Sequence, residues 1–98
     1  MIEIRRTNEF TTWIRSLSDE KARAKIFVRI DRLRGGNPGD VKPVGEGISE
    51  LRIDHGPGYR VYFAQRGIVL VLLLCGGTKR TQMDDIMAAK ALAAQWKE

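Results

Sequence analysis

A chain of 98 residues with 17 Lys and Arg against 12 Asp and Glu carries a formal charge of +5, and 43% of it is hydrophobic. That suits one domain, residues 1–98, near the small end of what a single core supports. One cysteine and one histidine leave neither a disulfide nor a convincing zinc set, so no metal or cofactor is expected, and no apolar run is long enough to span a bilayer.

The alternation Ile2-Glu3-Ile4 reads as a short strand, and the opening residues lack the apolar region of a secretion signal, so the cytoplasm is the expected location. Thr7 or Asn8 can cap a helix in which Phe10, Trp13, Ile14 and Leu17 recur at spacings of three and four. Ser18 is the expected cap of a second helix, with Asp19 and Glu20 in its first turn, where negative charge suits the dipole. Its buried stripe is Ala22, Ile26, Ile30 and Leu33, and Gly35-Gly36 stops it. The two helices form an antiparallel hairpin. Lys21, Arg23, Lys25, Arg29, Arg32 and Arg34 on the remaining faces read as a solvated charged surface, with a second basic patch touching RNA backbone as the weaker alternative. Residues 35–47, dense in Gly and Pro, are expected to be a loop.

Strands follow at 48–53, 59–65 and 68–76, joined by turns at 54–58 and 65–67. The third is apolar on both faces, which marks it as central and covered on each side. Cys75 at its end reads as a small core residue. Gly76-Gly77 then signals a turn. The last helix opens near Thr81, which with Asp84 resembles a capping box, and buries Ile86, Ala89, Ala93 and Trp96. The fold class is α+β: a short N-terminal strand, a helix hairpin, three further mainly antiparallel strands and a C-terminal helix.

Eleven of the 17 basic residues are arginine, which suits bidentate phosphate contact, and the basic balance favours a polyanion or an acidic protein partner. Side chains alternate across a strand, so Leu51, Ile53, Tyr59, Val61 and Phe63 share one face. Arg52, Arg60 and Tyr62 emerge with Glu50 on the other. Lys79 and Arg80 stand just before the last helix, where cations oppose the dipole unless an anion is expected. Arg52, Arg60, Lys79 and Arg80 are therefore expected to converge on one concave cationic patch. The competing reading is that Arg60 pairs with Glu50 across the strands while the basic turn is simply exposed; for Arg52 the two readings stand level. Tyr62 could stack on a base. His55, the one ordinary titrating base near neutrality, lies in a hairpin turn and invites reading as a catalytic base or a nucleic-acid contact, but a turn-filling polar residue is the preferred reading.

Glu50-Leu51-Arg52, Gly56-Pro57-Gly58-Tyr59-Arg60-Val61-Tyr62-Phe63, the Leu-rich run 70–74, and Gly76-Gly77 followed by Lys79 and Thr81-Gln82 resemble the RelE/ParE toxin superfamily, in particular the HigB-like addiction-module killer proteins. The resemblance implies a RelE-like fold and a type II toxin that acts as a ribosome-dependent mRNA endonuclease. It implies that Arg60 contacts the scissile phosphate, that Lys79 or Arg80 is the basic residue after the last strand, and that Arg52 corresponds loosely to the basic residue before the turn. Gln82 and His55 would join Tyr62 in contacting RNA. The chain departs from the family where a tyrosine or an Asp-Tyr-His-like group is common: Gln82, Asp84, Asp85 and Trp96 stand there instead, which leaves proton transfer unassigned. The implied partners are an antitoxin, a small helix-turn-helix protein, together with the ribosome and mRNA, and operator DNA only through the antitoxin. Replacement of Arg60 by Ala is expected to abolish toxicity without unfolding the chain. Two alternatives remain: a ParE-like inhibitor of DNA gyrase, and a non-toxic corepressor or interaction module.

Overall fold

The computed structural model describes residues 2–68 and 70–96. In chain order it contains β1 (Glu3–Arg6), α1 (Asn8–Ser16), α2 (Glu20–Arg34), β2 (Val41–Gly45), β3 (Ile48–Ile53), β4 (Tyr59–Arg66), β5 (Leu70–Thr78), a 3-10 turn (Lys79–Thr81) and α3 (Gln82–Gln95). The strands form one sheet in the order β1-β5-β4-β3-β2. Neighbours are antiparallel except β1 and β5, which run parallel. The α+β architecture is the one the sequence leads to.

The sheet carries an apolar cluster on each face. Phe10 and Ile14 of α1 and Ala22, Ile26, Ile30 and Leu33 of α2 cover Leu51, Ile53, Val61, Phe63, Val71 and Leu73. On the opposite face, Ala89 of α3, with Ile86, Ala93 and Trp96 half-buried beside it, covers Ile48, Tyr62, Ala64, Leu72, Leu74 and Cys75. β5 contributes to both clusters, in keeping with its unbroken apolar run. The buried thiol of Cys75 is pushed up to about 12, first by burial.

One irregularity in β5 matters for the site. Tyr62 pairs with Cys75, whereas Phe63 pairs with Leu73, so Leu74 is an extra residue on that strand. A bulge of this kind re-aims every side chain beyond it. Leu74 and Cys75 both face α3, after which Gly76 turns toward α1 and Gly77 toward α3.

Local chemistry departs from expectation at several points. Thr7 caps α1 through its Oγ1, which accepts from the Phe10 N–H and donates to the Leu74 carbonyl. Asp19, not Ser18, caps α2, its carboxylate accepting from the Ala22 N–H; a carboxylate at that place also meets the helix dipole. Residues 35–47 are not a plain loop, because 41–45 pair with β3 as an edge strand in which Pro43 lies opposite Ser49. Proline is tolerated at a sheet edge. The β2–β3 turn is Glu46-Gly47, both at positive φ (54° and 76°), as a tight hairpin of primed type demands.

Gly76 and Gly77 lie inside β5 and do not form a turn. Their lack of a side chain is a packing requirement: a Cβ on Gly76 would stand 2.3 Å from the Trp13 ring, and one on Gly77 1.8 Å from Asp85 Oδ2. The third strand begins at Leu70, later than expected, Ile68 is exposed in the preceding turn, and Val69 lies outside the described residues. Thr81 ends the 3-10 turn rather than opening a capping box with Asp84. Its hydroxyl accepts from the Thr78 N–H and donates to Asp85 Oδ2 at 2.5 Å. Among the described residues no helix is long and apolar enough to cross a membrane.

Candidate functional site

On the α3 side the three long strands lay their side chains in cross-strand rows. Ile48, Ala64 and Leu72 form one row and Glu50, Tyr62 and Cys75 the next. Arg52, Arg60 and Gly77 form the third, two arginines directly opposite each other beside a residue with no side chain. The bulge at Leu74 brings Cys75 and Gly77, rather than Leu74 and Gly76, into the last two rows.

Glu50 is fully buried. Its Oε1 accepts from Arg60 Nη1 at 2.7 Å, and its Oε2 accepts from the Tyr62 hydroxyl at 3.0 Å and from Gln82 Nε2 at 2.8 Å. Arg52 Nε lies 3.9 Å from Oε1 and 3.9 Å from Asp40 Oδ2. One carboxylate thus gathers donors from β4 and from the first turn of α3, with the guanidinium of its own strand close by. Such compensation is what allows a buried charge to persist. Burial first, and then the bond to Glu50, raises the Tyr62 phenol above its ordinary value, so it stays protonated and donating.

Beyond this cluster the sheet opens into a hollow of about 290 Å³, walled by Arg52, Arg60 and Lys79 together with Asp40, Asp54 and Tyr59. Lys79 arrives from the 3-10 turn, whose backbone is tied to the hairpin because Lys79 N–H donates to the Gly58 carbonyl at 2.9 Å. Gly58 stands at φ 81°, a backbone conformation that residues with a Cβ rarely adopt, and so lets its carbonyl meet Lys79 there. Asp40 is fixed from α2: Arg29 Nη2 donates to the carbonyls of Pro38 and Asp40, and Nη1 to that of Arg52. Arg29 is therefore a brace, not part of the solvated face the sequence suggests.

Arg52, Arg60 and Lys79, drawn from separate parts of the chain, do meet. Arg80 is exposed and does not belong to that wall. Both readings of Arg60 hold at once: it pairs with Glu50 and it lines the hollow. At 7% exposure it is no surface arginine, which removes the ground for expecting Arg60→Ala to spare the fold. Tyr62 exposes nothing and Gln82 is bonded to Glu50, so base stacking by Tyr62 is not available in this arrangement. His55 Nε2 donates to Asp19 Oδ2 at 2.9 Å, and its ring lies nearly parallel to that of Tyr59; it stitches the 54–58 turn to α2 and is not in the wall of the hollow. That bond is the first cause of a lowered Asp19 carboxyl.

Sequence reasoning weighed Glu50 only as a possible partner of Arg60 and missed the roles of Asp40, Asp54 and Asp85. A glutamate on a polar strand face, diagonal to an arginine, was the available signal. Asp85, seated over Gly77, has its carboxyl raised first by burial, against which the Thr81 hydroxyl works. Among the described residues no three His, Cys, Asp or Glu side chains are grouped to hold a metal ion.

A protein of Haemophilus influenzae, described as an uncharacterized protein, is 53% identical to this chain over 94 residues, 96% of this chain and 95% of that one. No solved structure matches the chain. The family described as "Phage derived protein Gp49-like (DUF891)" matches residues 12–95, a span that takes in the whole wall of the hollow and the Glu50 cluster behind it. With most of its length matched, the chain belongs to the phage-derived Gp49-like family, a RelE/ParE-like toxin family associated with toxin–antitoxin systems.

Proposed function

We propose that this chain is the toxin of a type II toxin–antitoxin pair and that it cleaves mRNA held on the ribosome, an antitoxin silencing it. The observation that carries the reading is the meeting of Arg52, Arg60 and Lys79 in one hollow. Cleavage of RNA by its own 2′-hydroxyl requires in-line alignment, neutralisation of the phosphorane and proton movement. Cationic groups at the edge of a partly dry cleft supply the second. A large scaffold that fixes the message can supply the first, up to about 7 kcal/mol or more of the barrier. The division of labour is thus charge from this chain and geometry from the ribosome.

Lys79 is exposed, and Arg52 has a side chain 42% exposed, so both can be truncated with little effect on the fold. Lys79→Ala and Arg52→Ala should lose toxicity while keeping the wild-type melting temperature. Brief induction of the wild type, followed by mapping of RNA 5′ ends with and without a ribosome-blocking drug, should show new ends inside translated messages that vanish with the drug. Intact transcripts in arrested cells would remove the nuclease reading.

A second reading, inhibition of DNA gyrase, is favoured by one feature. Asp40 and Asp54 share the wall with the cations and Glu50 stands behind it, so the positive charge is largely matched. Gyrase-linked DNA breaks with translation continuing would select it.

A further inference from the structure

We infer that Glu50 is the positioning residue of the hollow, a buried carboxylate that fixes how Arg60 presents its charge and ties that presentation to the seating of α3; this rests on the nuclease reading for its catalytic consequence. Glu50 never reaches solvent, so it touches no substrate. Its effect runs through Arg60, whose Nη1 it holds at 2.7 Å. An arginine carries five N–H donors in a rigid fork. Arg60 Nε is buried with no partner of its own, so the bond from Nη1 to Glu50 is the directed contact that restrains the fork.

The carboxylate is itself aimed from two directions. Tyr62 on β4 and Gln82 at the first residue of α3 both donate to Oε2, leaving Oε1 to the arginines. Gln82 is the one link in this set that comes from a helix. A shift of the start of α3 is therefore passed to the carboxylate that holds Arg60 through the Gln82 bond at 2.8 Å. If the pair were mere filler, Glu50 and Arg60 together would be replaceable by apolar side chains of similar volume with little loss of stability, because apolar groups replace whole buried ion pairs neutrally or favourably. A glutamate surrounded by three directed donors is better accounted for by the orientation it imposes.

The test variant is Glu50→Gln. The amide keeps the shape and one acceptor for Arg60, while the Tyr62 hydroxyl can rotate and the Gln82 amide can flip to accept from the new NH2. The negative charge that strengthens the bond to Arg60 is lost, and little else. The first readout is the Arg60 side-chain N–H signal in 15N NMR. It should be sharp and restricted in the wild type and motionally averaged in Glu50→Gln. An unchanged signal overturns the inference whatever the chain's activity. The second readout is cleavage in a reconstituted translation reaction. kcat should fall about tenfold to a hundredfold, as for a misplaced reacting-site group, with KM changed less than about threefold. An averaged signal with kcat unaltered would also overturn it, since Glu50 would then be structural only.

If the wild type cleaves nothing on the ribosome, the nuclease reading fails by itself and inorganic phosphate becomes the probe. Glu50→Gln should then need about fivefold more phosphate to shift the Arg60 signal, a loss of orientation of roughly 1 kcal/mol. Equal or tighter binding would overturn the inference. If Glu50→Gln does not fold, Tyr62→Phe and Gln82→Ala carry the same readouts. Each removes one donor to Oε2 and leaves the charge of Arg60 untouched. An Arg60 signal still sharp in both would overturn the inference.

Discussion

The two faces of the sheet are built from the same strands and solve different problems. Toward α1 and α2, the inward residues of β3, β4 and β5 are apolar, and among the described residues the face closes without a buried charge. Toward α3, the same strands enclose Glu50 among Tyr62, Leu72 and Cys75, and the next row reaches the wall of a hollow through Arg52 and Arg60. The first face can take stability from area alone. The second depends on each donor finding its acceptor, and so converts a change in one residue into a change at the opening.

The largest effect should come from breaking the charged pair. Glu50→Ala leaves Arg60, 7% exposed, without its carboxylate and should cost about 3–5 kcal/mol. That is a large share of the roughly 5–15 kcal/mol that holds a domain of this size. Adding Arg60→Ala should return part of the loss. A double-mutant cycle by urea unfolding should give a coupling of about 0.5–3 kcal/mol. Additive losses would mean that the α3 face, like the other, is held by packing and not by the pair.

A smaller, sharper comparison sets Gly76 against Gly77. An added methyl on Gly76 meets the Trp13 ring, which is wedged between Phe10 and Tyr59 with ring centroids at 5.9 and 6.4 Å. Because a whole ring rather than the tip of a side chain must shift, Gly76→Ala should cost about 1–3 kcal/mol through overpacking. The same methyl on Gly77 meets the tip of Asp85, which can swing away at the loss of its bond from Thr81, so Gly77→Ala should cost less, on the order of 1 kcal/mol. Denaturation midpoints of the two variants decide it. The reverse order would mean that the start of α3 is clamped more tightly than the α1 side.

Much of this contrast is legible in the sequence. The alternation of Leu51, Ile53, Val61 and Phe63 against Glu50, Arg52, Arg60 and Tyr62 assigns the two faces, and the helical stripes supply their covers. What escapes is what depends on contacts between distant segments. A strand of Val41-Lys42-Pro43-Val44-Gly45 has too few buried side chains to imprint a pattern, because an edge strand is held by backbone pairing. Two adjacent glycines look alike whether they turn the chain or admit a ring and a carboxylate, and a one-residue bulge leaves no mark in composition. The polar face is expected to stay wet, whereas α3 lies over Tyr62 and Glu50. Nothing in periodicity reveals that a helix will be laid across charges already paired beneath it.

The smallest expected effect lies at the turn beside the hollow, where His55 bonds Asp19, the cap of α2. His55, and after it the Ala22 N–H, lowers the Asp19 carboxyl below its reference value of 3.8. A carboxyl depressed in the folded state adds stability that is fully present above its unfolded value and disappears as pH falls through the folded one. The melting temperature of the wild type should therefore decline below about pH 4, a fall to which this pair contributes. Asp19→Asn removes the titration while its Oδ1 still caps the helix by accepting from the Ala22 N–H, and its amide NH2, standing where Oδ2 was, can donate to His55 Nε2 in the other imidazole tautomer. Its melting curve should lie slightly below that of the wild type at neutral pH and fall less steeply toward acid, so that the two converge. Parallel curves would show that the pair holds the turn by shape alone, and that the charge of Asp19 has no part in seating the hairpin that carries Asp54 and Gly58 to the wall.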